Sequence, residues 1–292
     1  MESKVQNLKR LVIFLLLAFG FAWIPWIIMN RVWGYAEWFT TSHYLLFANP
    51  TLFAPAFANL LTRLITKEGF SDMKLHLRLK GHLPQYLTAW LFPMACALLG
   101  RLLTTALYGD RNGAGAADGM SVTMITAYVL DAFFTAPLMA FFTFGEEFGW
   151  RGYMNDKMKP LLGTAGTVLL GGALWGIWHA PLTVEGYKFG TDYAGYPYVG
   201  FLLMMLFCIT TGALLMWLTE KSGSVYPAAV CHAMMKFGTP ALRALAIRGV
   251  PENSGKPSGT VAFAVMILPA AVLSMVFFVS LLKNGKKAQA SG

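Results

Sequence analysis

The sequence predicts an all-α fold: a multi-pass transmembrane bundle of about eight spans with both termini in the cytoplasm. Three observations predict it, namely a shortage of charge, a series of apolar stretches of helical length, and the placement of the basic residues. Of 292 residues, 56% are hydrophobic and 13% are charged, whereas a soluble domain carries about 25% charged residues. Eight spans of roughly 20 residues would take up about 160 residues, a little over half the chain. A soluble enzyme, a disordered chain and a secreted disulfide scaffold do not fit this balance. Cys96, Cys208 and Cys231 sit inside apolar runs without CxxC spacing and read as packing residues. No internal repeat, low-complexity stretch, linker, phosphate-cradling glycine loop or nucleic-acid module is found, so 1–292 reads as a single integral-membrane domain.

The spans follow in order. Lys4, Lys9 and Arg10 precede an apolar run at 11–29. A signal peptide has the same charge order, but this run is long, ends in Trp23, Pro25 and Trp26, and lacks a small-residue cleavage site, so an uncleaved first span is expected. Further spans are expected at about 43–65, 84–107, 121–156, 163–184, 198–219, 224–246 and 260–282. The stretch 121–156 is too long for one simple span, which implies a surface-lying start or a tilted, projecting helix. With the N-terminus inside, fourteen of the 23 Lys and Arg residues fall on inner segments, six on outer segments and three in spans or at their ends. That bias places both termini in the cytoplasm and explains the net charge of +9 without invoking nucleic acid. The segment 73–80, which alternates apolar and basic residues, reads either as an interfacial element on anionic headgroups or as a solvated loop. Residues 109–119, rich in Gly, Ala and Asp, read as an outer connector.

Charge inside a bilayer costs at least about 2.5–3.5 kcal/mol per residue, so the ionisable residues within spans carry the functional signal. They are Asp131, Glu146, Glu147, Arg151, His179, His232 and Lys236. On a helix Glu147 and Arg151 stand four apart and can pair, while Glu146 faces about 100° away. A desolvated carboxylate without a local cation can exchange a proton and serve as general base or acid. The competing reading is an ion pair at a helix end. Trp175 and His179 are four apart, so the indole can wall the imidazole; His232 and Lys236 share a face in the same way. A lone membrane histidine is commonly an interhelical hydrogen-bonding residue, but two histidines together with a Glu pair point to a site. At 1.5 Å per residue, Glu146, His179 and His232 lie about 16, 24 and 12 Å from the inner surface, which permits one shared layer open to the cytoplasm.

These motifs resemble the CPBP superfamily, which includes the type II CAAX prenyl endopeptidases and bacterial Abi-type membrane proteases. EExxxR matches Glu146, Glu147 and Arg151. FxxxH matches at His179, with Trp175 in place of Phe, and HxxxN matches at His232, with Lys236 in place of Asn. The resemblance is densest over 131–239, the expected catalytic core. It implies an intramembrane endopeptidase acting on membrane-associated proteins or peptides, in a bacterial cytoplasmic membrane with its site facing the cytoplasm. In that picture Glu146 and His179 activate a water, His232 and position 236 stabilise the oxyanion, and Glu147 and Arg151 support Glu146. Lys236 either serves the oxyanion or pairs with a glutamate and leaves an inactive scaffold or immunity factor. Glu, His and His also make a zinc set, but there is no HExxH helix and Lys236 opposes a dication, so a cofactor-free mechanism is expected with zinc as the alternative. Cys231 has no base placed to activate it. A proton-coupled transporter is a third reading, since buried carboxylates and histidines form relays; the internal repeats of many transporters are not found. The lipid bilayer is an expected partner and nucleic acid is not. The substrate, the oligomeric state and the role of Asp131 stay open.

Overall fold

The computed structural model describes residues 3–34, 49–108, 126–127, 130, 133–134, 136–238 and 259–290. The main helices are α1 (Lys4–Trp33), α2 (Ala54–Thr66), α3 (Leu83–Tyr108), α4 (Ala140–Gly149), α5 (Asn155–Trp178), α6 (Tyr198–Ser222), α7 (Tyr226–Ala233) and α8 (Gly259–Ala290). A π-helical turn, Trp150–Met154, joins α4 to α5, and another, Met234–Gly238, extends α7. No strand occurs among the described residues. Asp131, His43 and the connector 109–119 lie outside them, as do parts of the stretches expected at 43–65, 121–156 and 224–246.

The start of α1 has a local cause. Ser3 caps α1 reciprocally with Gln6: its hydroxyl accepts from the Gln6 N–H, and its own N–H donates to the Gln6 side chain. Along α1 the buried residues Leu11, Phe14, Ala18, Ala22, Trp26 and Met29 recur every three or four positions, making one stripe that packs on α2 and α5. The opposite face carries exposed Leu16, Ile24 and Ile27, while Arg10, Arg63, Glu146, Glu147, Arg151 and Lys157 are buried. Apolar side chains outside and ionised ones inside reverse the arrangement of a soluble protein. Among the described residues, Lys4–Trp33, Ala140–Trp178, Tyr198–Ser222 and Leu268–Gly285 are long and apolar enough to cross a membrane. The protein is an integral membrane protein.

The 39-residue run from Ala140 to Trp178 is not one rod. Trp175 hydrogen-bonds Glu146, 29 residues earlier, and a straight helix would hold them about 43 Å apart. The chain must double back between them. It does so at Gly163, the residue of this run with non-helical dihedrals (φ 68°, ψ −180°), in the left-handed φ region that favours glycine. The break coincides with the expected boundary between 121–156 and 163–184.

Two glycine pairs, each spaced i, i+4, bring the site helices close to their neighbours. A β-carbon on Gly145 would stand 2.7 Å from the Leu52 carbonyl oxygen, and one on Gly149 would fall on the Pro55 backbone, so α4 rests directly on the start of α2. A β-carbon on Gly176 would stand 2.6 Å from Met205 Cα, and one on Gly172 would meet Ile209, so α5 lies against α6. Small residues at this spacing let membrane helices approach backbone to backbone.

Candidate active site

The glutamates sit on α4, one turn before the π turn. Wider winding frees a main-chain carbonyl, and the buried Asn59 of α2 donates to Phe148 O at 3.0 Å. Glu147 Oε1 receives Arg151 Nη1 at 3.0 Å and His232 Nδ1 at 2.8 Å. Glu146, 1% exposed, accepts from Trp175 Nε1 at 2.9 Å and lies within electrostatic reach of His232, Lys236 and His179.

Trp175 is the common contact of Glu146, Arg151, His179 and His232. Besides the bond to Glu146, its carbonyl accepts from His179 Nδ1 at 2.9 Å. Its ring meets the His232 ring edge-on, with centroids 5.3 Å apart, and carries the Arg151 guanidinium 4.0 Å above it. His179 caps α5, where Ala180–Val184 begins a new short helix with Pro181 in its first turn. Tyr187 lies parallel to the His179 ring at 6.1 Å, and Trp178 meets it edge-on at 4.9 Å. Trp178 is itself fixed on α1, since its Nε1 donates to Ala18 O at 3.0 Å and its carbonyl accepts from Trp23 at 2.8 Å.

These bonds settle which imidazole nitrogens face the chemistry. A carbonyl only accepts, so His179 Nδ1 carries a proton and the neutral ring offers Nε2 as an acceptor. His232 Nδ1 faces an acidic oxygen; when it donates there, its Nε2 is an acceptor in the neutral ring and a donor only in the imidazolium. Glu147 thus pairs with Arg151, as the spacing predicted, and with His232 as well. α4 is also tied to α7, where the Thr143 hydroxyl of α4 donates to the Ala229 carbonyl at 2.7 Å.

The family model described as type II CAAX prenyl endopeptidase Rce1-like matches residues 124–238. The matched segment is similar to that family over somewhat more than a third of the chain. Lysostaphin resistance protein A of Staphylococcus haemolyticus (strain JCSC1435) is 35% identical over 100 residues, 34% of this chain. The chain spans about a quarter of that relative, 24% of its length. All six site residues expected from the sequence fall inside the Rce1-like segment. The structure gathers Glu146, Glu147, Arg151, His179 and His232 around Trp175 and brings Lys236 within electrostatic reach of Glu146.

Sequence reasoning missed the support that lies outside the Rce1-like segment. Glu68 accepts from Arg10 Nε (3.3 Å), Tyr153 Oη (2.8 Å) and Lys157 Nζ. It thereby pins the π turn and the first turn of α5 to α1. Arg63 donates to Asn59 at 2.8 Å, to Gly69 O at 2.8 Å and to Asp72. The partners of Asn59 and Glu68 on α4, the π turn and α5 lie 85 to 89 residues away, too far for any local pattern to reveal. Among the described residues no three His, Cys, Asp or Glu side chains are grouped to hold a metal ion.

Proposed function

We propose that this protein is an intramembrane endopeptidase that hydrolyses membrane-associated proteins or peptides with a glutamate-activated water. The observation that carries the reading is the buried Glu146 held by the Trp175 N–H, with both histidines on the same tryptophan. The match to a protease family over 124–238 supports it.

In this mechanism Glu146 takes a proton from water while His179 Nε2 accepts from the other O–H and orients it. The hydroxide oxygen attacks the scissile carbonyl carbon, and the new oxyanion receives His232 Nε2–H and Lys236. Glu147 stabilises the His232 imidazolium, as a carboxylate behind a histidine does in other hydrolases. Glu146 then hands its proton to the leaving amine as the C–N bond breaks. A pair of oxyanion donors supplies several kcal/mol of transition-state stabilisation. The reading is metal-free, so cleavage should persist in a zinc chelator. It further places about eight spans, a catalytic core over 131–239, cytoplasmic termini and a cytoplasm-facing site in a bacterial cytoplasmic membrane.

The test compares new N-termini of membrane proteins in cells holding the native chain and Glu146→Gln at equal expression. Loss of a general base costs about 10²–10⁴-fold, so termini beside membrane segments should vanish with the variant. Unchanged termini would sink the mechanism. A second reading, an inactive scaffold or resistance factor, is favoured by Lys236 beside Glu146 and by the name of the relative. In that case Glu146→Gln keeps any lysostaphin-resistance phenotype.

A further inference from the structure

The segment 73–80 is anchored at two of the site-bearing helices, α5 and α7. The Lys74 ammonium pairs with Asp156 of α5 at 2.6 Å, and the Lys74 carbonyl accepts from the Val225 N–H, at the start of α7, at 3.1 Å. Arg78 lies over Gly223, the C-terminal cap of α6. The strap therefore crosses the ends of three helices at one rim of the bundle.

From His76 to Lys80 its side chains are exposed. It has no regular hydrogen-bonded structure, and along its sequence Leu77 and Leu79 alternate with His76, Arg78 and Lys80. Leu77 is 62% and Leu79 50% exposed, and the three basic side chains are exposed as well. In water this apolar exposure would be unfavourable. It continues into Leu83, Leu87 and Leu91 of α3, all exposed and spaced i, i+4 along one helical face. That face belongs to a helix of a membrane bundle, so the exposed leucines of the strap and of α3 form one apolar series along the chain. The basic residues of the strap alternate with it at the rim.

We propose that this strap is a binding surface for anionic phospholipid, with Leu77 and Leu79 at the acyl boundary and Arg78 and Lys80 on the phosphate headgroups. Lys74 is neutralised by Asp156, which leaves Arg78 and Lys80 as the principal headgroup contacts. Basic residues at an anionic surface contribute about 1 kcal/mol each, so two correspond to a roughly thirty-fold preference.

The full chain is reconstituted in nanodiscs of equimolar phosphatidylglycerol and phosphatidylcholine, and the lipids retained on release are counted by native mass spectrometry. The native chain should retain phosphatidylglycerol preferentially, and Arg78→Gln/Lys80→Gln should lower that preference about thirty-fold. Leu77→Asn/Leu79→Asn should reduce retention of both lipids. Lys286→Gln/Lys287→Gln, an equally basic pair outside the strap, should lower the preference much less than the strap pair does. Unchanged thermal unfolding in pure phosphatidylcholine shows that the variants fold. The proposal is overturned if the native chain shows no preference, if Arg78→Gln/Lys80→Gln keeps it, or if the distal pair lowers it equally.

Discussion

At Trp175 the indole N–H binds Glu146, the carbonyl binds His179, and the ring packs against Arg151 and His232. Phenylalanine, the usual residue at this motif position, could wall the imidazole but could not donate to a carboxylate. Trp175→Phe should therefore keep the packing and lose a hydrogen bond to a charged group, a loss of about 1.5–3 kcal/mol. The expected readout is a ten- to hundred-fold drop in substrate cleavage. In ¹⁵N-tryptophan protein the Trp175 indole resonance should move in Glu146→Ala; a resonance indifferent to that change would refute the contact. Lys236 is the other departure. As an oxyanion donor it should be replaceable by Asn within about ten-fold, while Lys236→Met should lose about 10²-fold. If Lys236→Asn instead cleaves much faster than the native chain, the ammonium quenches Glu146.

Among the elements, the glycine pairs and the kink decide where the site helices stand. Gly172→Ala forces a β-carbon onto the Ile209 backbone and should lower stability by about 1–3 kcal/mol. Gly20→Ala in α1 meets nothing within 4 Å and should be neutral or stabilising; thermal unfolding of the two variants separates packing from propensity. The loop after α2 carries a pH-dependent hold. Burial opposes ionisation of Asp72 most strongly, yet the Arg63 hydrogen bond, the charges of Arg63 and Lys157 and a backbone bond outweigh it. Together they keep the carboxyl below its ordinary value of 3.8. A depressed native value stabilises the fold above the unfolded value, and that contribution is lost as pH falls below 3.8 through the native value. The Tm difference between the native chain and Asp72→Asn should thus be present at neutral pH and close below about pH 4. Because Asp72 is half exposed, the difference should be small.

For the whole molecule, topology is the quantity to measure. Cys96, Cys208 and Cys231 are buried free thiols, which gives a quiet background for single-cysteine labelling. In intact cells a membrane-impermeant maleimide should spare Ser3→Cys and Lys283→Cys and label Asp192→Cys. Labelling of the first two from outside would invert the orientation. The result also bears on the proposed cytoplasm-facing site, because the expected eight spans would put both termini on one side of the membrane.

The sequence by itself determined the class of the fold and the chemical inventory. Apolar composition and span length are local properties, and so are the i, i+4 relations that foretold Glu147–Arg151 and linked Trp175 to His179 and His232 to Lys236. It located the helix break near Gly163 for the same reason, since hydropathy changes there. Only the tertiary structure decided what each of those residues does. Hydropathy says how deep a residue sits but not which way its helix is turned, so the indole, beside His179 as expected, is found also donating to Glu146. The carboxylate expected to tune Glu146 is likewise found on His232. Asn59, Glu68 and Arg10 carried no motif, because their partners come from helices distant in the chain. A buried hydrogen bond depends on where two backbones finally lie.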